Sequence, residues 1–506
     1  MPALAEYSVS LEAKLLRLSV PAAFFVNDFL LPFVGVILLY LLFYKIIGRK
    51  YHSLALAAFF YLIFLFSFGR PINPQFSFIF LVVGLLLIER IHSRLDDFRT
   101  IYYSGILGLV TGLLVYIYTY FWTALVVCLG MILLSQVIRQ RRLMPAMKNF
   151  VCFIIPAGLL SVPYLTGLIK AAASPDYGET MSRFGLLTNH WPAALSNVFF
   201  ILIVFAVIVF SARKFTNKND LWFSYSLLSS ALMLNWQNII TGAYLQFSSH
   251  YYLVTILLCL LSFAIVFKSW PGDKGTVGTV KENLPAFLLI ALFLTALLYK
   301  QTSEISSAYR NIIDPRPIGQ EQLLSAVFAW LDANTAADSV VYTLAGDQLA
   351  QYRPIYTNNN LYSYGYAGYY LLSDQEMEDR WVRQNIFKDQ VYYEYILANQ
   401  RSIWQNKFID RFQNQSVRNK IIGIFTGKTI EMTPLVPPEH IERVLGKFKA
   451  IKKEDPRTAL KKFRIDYILL DESDPANGGL ENEFKKYGWL KMIEQSAGGL
   501  AIYHVE

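Results

Sequence analysis

Cysteine is nearly absent from this chain. There are three, Cys128, Cys152 and Cys259, and each lies inside an apolar run. Residues 301–506 have none, so no disulfide braces the polar C-terminal part. No CxxC and no Cys/His metal spacing occurs, and a lone Cys among apolar neighbours reads as a small hydrophobe. Charge is also scarce. Charged residues make up 16% of the chain, against about 25% in ordinary soluble proteins. Catalytic signatures are missing too: no GxxxxGK[ST], no GxGxxG after a strand, no GxSxG, no HExxH and no kinase set. A P-loop, dinucleotide, serine-hydrolase, zincin or kinase assignment is thereby excluded. Within residues 1–300 the acids are Glu6, Glu12, Asp28, Glu89, Asp96, Asp97, Asp176, Glu179, Asp220, Asp273 and Glu282, and none sits mid-way along an apolar run. Proton- and ion-coupled transporters place ionisable groups at the bilayer midplane. Their lack here argues against that class.

What remains is sharply partitioned. Residues 1–300 carry 22 Lys+Arg and 11 Asp+Glu, a net of +11, and residues 301–506 carry 24 and 26, a net of −2. These sum to the formal +9. The basic excess belongs wholly to the apolar part, so nucleic acid is not the expected partner. Instead the composition reads as a bilayer-embedded part followed by a water-exposed one.

Apolar stretches of near-spanning length run over 29–45, 53–69, 75–91, 101–119, 120–138, 149–169, 198–212, 221–236, 252–268 and 284–300. The expected fold is a polytopic α-helical membrane protein of about ten spans with a C-terminal extracytoplasmic α/β domain. One set of connecting segments holds Lys45, Arg49, Lys50, Arg90, Arg94, Arg99, Arg139, Arg141, Arg142, Lys148, Arg213, Lys214, Lys218, Lys268, Lys274 and Lys281. The alternate set holds Lys14, Arg17, Arg70, Lys170 and Arg183. The positive-inside rule assigns the richer set to the cytoplasm. The N-terminus and residues 301–506 then lie outside the cytoplasmic membrane.

Three segments are expected: an interfacial amphipathic stretch over 1–28, a multi-span domain over 29–300, and an α/β domain over 301–506. In the first, Leu11, Leu15 and Leu18 share a helix face, with Glu12, Lys14 and Arg17 elsewhere. In the last, helices are expected over 320–334, 456–463 and 479–487, and strands over 339–344, 465–470, 490–494 and 500–505.

On the expected outer face, polar and aromatic groups gather: Arg70 to Gln75, Tyr116 to Trp122, the segment with Asp176, Glu179, Arg183, His190 and Trp191, and then Asn235 to Gln237, Gln246 and His250 to Tyr252. Such groups suit a sugar on a lipid phosphate: aromatics stack on the sugar face, amides bond hydroxyls, and Arg or His meets phosphate. Each also has a plain reading. Interfacial Tyr and Trp form a belt. Asp28, before an apolar run with Pro32, reads as a helix N-cap. Asp176 and Glu179 follow Ser174-Pro175, a turn signal. The tyrosine-rich stretch 358–370 reads as a surface loop, and Lys447–Lys453 with Lys461–Arg464 as solvated helix faces.

The layout resembles the bacterial GT-C superfamily of membrane glycosyltransferases and their uncharacterised relatives. The stretches that carry the resemblance are Gly69–Phe76, Gly112–Trp122, Asn235–Gly242 with Ser249-His250-Tyr251, and the tail segments Ile465–Leu470 and Leu500–Tyr503. Members that are enzymes transfer a sugar from a polyprenyl-phosphate carrier. Their catalytic acid lies in the first external loop, just after the first span. The resemblance implies that the start of this chain corresponds to the late part of that loop, leaving Glu6, Glu12 and Asp28: either Asp28 is the base, which is the expectation, or the acid lies on a preceding segment, or there is no transferase activity. The expected substrate-binding residues are Arg70, Asn73, Asp176, Glu179, His190, Gln237, Gln246 and His250. Of these, Arg70, His190 and His250 would meet phosphate, and Gln237 and Gln246 hydroxyls. No metal-ligand set is expected, no cofactor motif is present, and a need for a divalent metal stays open. The partners implied are membrane lipid and a polyprenyl-phosphate-linked sugar. Two other classes stay open on the residues alone: a non-catalytic scaffold or envelope-assembly protein, and a lipid or polysaccharide carrier.

Overall fold

The computed structural model describes residues 4–64, 68, 71–94, 98–185, 190, 192, 195–212, 215, 217–242, 248–269, 284–313, 316–344, 357–362, 371–427, 434–472, 477–495 and 499–506. The chain is mostly helical and divides into two compact units. One comprises residues 1–170 and 188–309; the other comprises 171–187 and 310–506.

The described elements of the first unit are helical, chiefly α1 (Leu4–Leu16), α2 (Val20–Ile47), α3 (Lys50–Ile63), α4 (Ser77–Ser93), α5 (Arg99–Leu114), α6 (Thr119–Gln140), α7 (Leu143–Ala172), α9 (Leu195–Ser211), α10 (Lys218–Thr241), α11 (Tyr252–Ser269) and α12 (Leu284–Ile313), the last residues of α7 and α12 passing into the second unit. Helix α8 (Tyr177–Arg183) belongs to the other unit. The expected apolar stretches coincide with these helices, apart from the end of 53–69, part of which lies outside the described residues, and the end of 101–119, where α5 stops at Leu114 and residues 115–118 turn into α6. Among the described residues, four helices are long and apolar enough to cross a membrane: Ala22–Ile47, Pro74–Ser93, Thr119–Gln140 and Leu143–Ala172. Leu195–Ser211, Tyr252–Lys268 and Leu288–Tyr299 are apolar but shorter. A helix suits such sequences because it satisfies every backbone group within itself.

Helix α2 starts at Ser19, whose side chain accepts from the Ala22 N–H at 3.3 Å, with Pro21 in its first turn. This corrects the N-cap reading of Asp28, which lies inside the helix. Helix α1 packs on α2 through Val9, Ala13 and Ala23, while Tyr7, Leu11 and Leu15 stay exposed. Helix α7 leaves Leu159, Leu165 and Ile169 exposed as well. Helices α5 and α7 approach so closely that a Cβ on Gly108 would lie 2.3 Å from the Phe153 carbonyl oxygen. Polar pairs also join helices: Ser104 Oγ donates to Asn149 Oδ1 at 2.9 Å, and Asn235 Nδ2 donates to Thr255 Oγ1 at 2.8 Å while its Oδ1 accepts from Asn197 at 2.8 Å.

In the second unit a five-stranded sheet runs in the order β2-β1-β3-β5-β4, from β1 (Val340–Leu344), β2 (Asn360–Leu361), β3 (Tyr467–Asp471), β4 (Leu490–Gln495) and β5 (Leu500–Val505). Strand β1 is parallel to β2 and β3, whereas β5 is antiparallel to β3 and β4. Strand side chains alternate between faces. Val341, Leu469, Leu500 and Ile502 meet Val327, Phe328 and Leu331 of α13 (Arg316–Asn334) on one face. Tyr342, Ile468, Leu470, Ala501 and Tyr503 meet six further helices of the unit on the opposite face. These are α14 (Asp374–Gln384), α15 (Tyr393–Ala398), α16 (Gln400–Trp404), α18 (Pro438–Ile451), α19 (Pro456–Leu460) and α20 (Leu480–Phe484), while α17 (Ile409–Thr426) contributes nothing to that cluster among the described residues.

The expected strands are present, together with the short β2, which was not expected. The helix expected over 456–463 ends at Leu460, and that expected over 479–487 covers Leu480–Phe484, where Gly479 at φ 85° serves as its cap. Residues 171–187, expected as part of the multi-span domain, fold with the second unit instead.

Candidate functional site

Three groups of polar side chains in the first unit involve expected site residues. The first joins α1, α2 and a π-helical turn, Pro71–Phe76, that leads into α4. Asp28 is exposed on α2, and its Oδ1 accepts from Gln75 Nε2 at 3.3 Å. Gln75 is 3% exposed, and its Oε1 is buried without a hydrogen-bond partner among the described residues. One residue earlier on α2, buried Asn27 donates to Glu12 Oε2 of α1 at 2.6 Å. Single-turn π-helices inserted before or within α-helices recur at functional sites, because they turn side chains out of the regular helical register. Asp28 and Lys45 are 17 positions apart on the one helix (45 − 28), so a rise of 1.5 Å per residue separates them by roughly 25 Å. That approaches the thickness of a hydrocarbon core. Asn73 lies in the π-turn; its side chain, and Arg70 altogether, lie outside the described residues.

The second group surrounds His250, on the short 3-10 turn Ser248–Tyr251 that precedes α11. Its ring stacks on Tyr120 at 4.4 Å with a 6° interplanar angle, and its Nδ1 lies 3.2 Å from the Tyr118 hydroxyl. Next to it, buried Tyr251 shares a 2.9 Å hydrogen bond with Thr123 Oγ1. The tyrosines read as a belt are thus in part a cradle for one histidine. Tyr116 stands apart from it and donates to the Leu160 carbonyl at 2.7 Å.

His190 makes the third group. Its Nδ1 donates to the Ile239 carbonyl at 3.0 Å, and it rests against the α10 cap at Gly242 (φ 71°), where a Cβ would lie 2.6 Å from Nε2. Half-buried Gln237 accepts at Oε1 from Thr241 Oγ1 at 2.8 Å. Asn235 is buried and holds helices together, so it is not part of an external loop. Gln246 lies outside the described residues.

Asp176 and Glu179 belong to the second unit. Asp176 stands at the start of α8, where its carbonyl accepts from the N–H of Thr180 at 2.9 Å. Glu179 Oε2 accepts from the Asp374 N–H at 2.5 Å, at the N-terminus of α14, where a negative charge is favoured. Fully buried Arg183 pairs with Asp374 at 2.5 Å, donates to Thr180 Oγ1 at 3.0 Å and also bonds the Leu372 carbonyl. Lys407 meets the other oxygen of Asp374. Nothing in the residue types around Ser174-Pro175 announces this network, because its partners come from far along the chain.

A second buried acid in the same unit also escapes sequence reasoning. Glu378 is 0% exposed, yet its carboxylate takes hydrogen bonds from Arg443 Nε at 3.0 Å and Trp404 Nε1 at 3.0 Å, with Lys447 at 3.1 Å. Burial pushes its pKa up, but the bonds from Arg443, Trp404 and Lys447 outweigh that and hold it below the ordinary value. Among the described residues, no group of three or more His, Cys, Asp or Glu is arranged to hold a metal ion. No protein-family model matches the chain, and no curated protein matches it.

Proposed function

We propose that this chain is a GT-C-like glycosyltransferase of the cell envelope, transferring a sugar from a polyprenyl-phosphate carrier to an acceptor, with Asp28 as general base. In this reading the ten apolar helices span the cytoplasmic membrane, the sixteen cations of the richer set face the cytoplasm, and the α/β domain lies outside. The observation that supports it is the Asp28–Gln75 pair. An exposed carboxylate stands in the first third of apolar α2, roughly 25 Å along it from Lys45, and a buried amide on a π-turn holds one of its oxygens. The other oxygen has no hydrogen-bond partner among the described residues, and in this reading it takes a proton from an acceptor hydroxyl. His250, stacked on Tyr120, supplies a cation or hydrogen-bond donor for phosphate, and the aromatic planes suit a sugar face. Purified protein incubated with radiolabelled polyprenyl-phosphate sugars tests this reading. It predicts release or transfer of label from at least one donor. No turnover of any donor would count against it.

A second reading, a non-catalytic envelope scaffold, has one observation in its favour. Glu179 and Arg183, read as site residues or their neighbours, are both engaged in internal bonds of the second unit. Such bonds serve to build a domain and leave those groups little freedom to meet a substrate.

A further inference from the structure

Arg383 of α14, Glu454 beyond the end of α18, Arg457 and Thr458 of α19, and Lys461 and Lys462 just after it line an open depression of about 740 Å³ on the second unit. Four of the six are cations and one is an acid. Arg383 is 5% exposed. Its Nη1 donates to the Ala459 carbonyl at 2.5 Å and faces Glu454 at 3.5 Å, and its buried Nε has no hydrogen-bond partner among the described residues. Arg457 donates its Nε to the Glu506 carbonyl at 2.9 Å, and its charge also acts on the carboxylates of Asp455 and Glu506. Lys462 pairs with Asp379 at 2.7 Å, but Asp379 also serves Lys447 at 3.0 Å. Lys461 makes no ion pair among the described residues. A buried guanidinium opposed by one half-exposed carboxylate is poorly compensated, and a buried charge calls for a counter-charge.

We infer that this depression binds the phosphate of a small phosphorylated polar molecule. The chemistry selects phosphate because guanidinium forks, ammonium groups and the Thr458 hydroxyl all favour a multiply charged oxyanion. The depression is open and has room for an organic part beside the phosphate. Glu454 is the one group on the wall that opposes it. The inference concerns the second unit alone and stands independently of any role for Asp28.

The test is isothermal titration of the purified full-length protein with glucose 1-phosphate, beside a second arm measuring binding to nanodiscs with and without phosphatidate. Saturable binding in the first arm identifies a soluble ligand. Binding confined to phosphatidate nanodiscs identifies a lipid headgroup as the source of the same chemistry. Arg457→Gln and Lys461→Gln are surface changes, and each weakens binding by about tenfold, the loss of one charge-assisted hydrogen bond. Glu454→Gln tightens it, and added salt weakens it. No saturable binding in either arm, or an affinity unmoved by all three variants, overturns the proposal.

Discussion

Arg183 and Asp374 lie 191 positions apart and form a buried ion pair at 2.5 Å. One residue sits on the short helix after α7 and the other opens α14, so the pair fastens residues 171–187 into the C-terminal unit. Lys407 meets the other oxygen of Asp374, and the Asn406 N–H donates to the Arg183 carbonyl at 3.1 Å.

Asp374→Asn leaves Arg183 buried against a neutral partner. The expected cost is about 3 kcal/mol, at the lower end for breaking a buried pair. Thermal unfolding followed by tryptophan fluorescence reads it, with Arg183→Met and the double variant completing a cycle. A coupling below about 0.5 kcal/mol would class the pair with exposed surface bridges and remove its fastening role.

Glu378 gives the C-terminal unit a defined acid sensitivity. Its folded pKa lies below its unfolded value, so it contributes stability above an unfolded value of about 4.3, and that contribution is lost as pH falls through the folded value. Glu378→Gln therefore destabilises at neutral pH, and the gap from wild type closes on acidification below about pH 4. Melting curves across pH 3 to 7 measure it, the range taken from ordinary carboxylate titration at about 4.3. A gap that widens in acid would reverse the sign derived from the Arg443, Trp404 and Lys447 bonds.

Asn235 bridges α9 and α11 from α10 through Asn197 and Thr255. Its replacement by Leu leaves both partners without that bond in an apolar bundle. Polar contacts between apolar helices contribute modestly, so the expected loss is about 1 kcal/mol. Unfolding in mixed micelles checks it, and an unchanged midpoint would mean that water or another side chain takes over.

How much of this was legible in the sequence varies with length scale. The apolar runs marked the helices because a continuous run needs no partner to be recognised. The strands at Val340–Leu344, Tyr467–Asp471 and Leu500–Val505 were equally plain, being short, β-branched and apolar. Helix α14 was hidden, because it buries Asp374, Glu378 and Arg383 beside Met377, Trp381 and Val382. Buried charges break the apolar pattern, and only partners far along the chain make them tolerable. Asp28 was misread as a cap because Ser19, with proline two residues on, is the stronger start signal. The Asp28–Gln75 pair and the Tyr118–Tyr120–His250 cradle depend on packing between distant helices, and local spacing holds no trace of either.

The central claim is that Asp28 removes a proton during sugar transfer. The most direct measurement is the single-turnover rate with a polyprenyl-phosphate sugar donor that wild type accepts, compared among wild type, Asp28→Asn and Asp28→Glu. A general base contributes on the order of 100- to 10,000-fold, so Asp28→Asn is expected to fall by about that factor with donor affinity retained. Asp28→Glu, which keeps a carboxylate, is expected to recover part of the rate. Equal rates in wild type and Asp28→Asn would contradict the account and remove Asp28 from the chemistry.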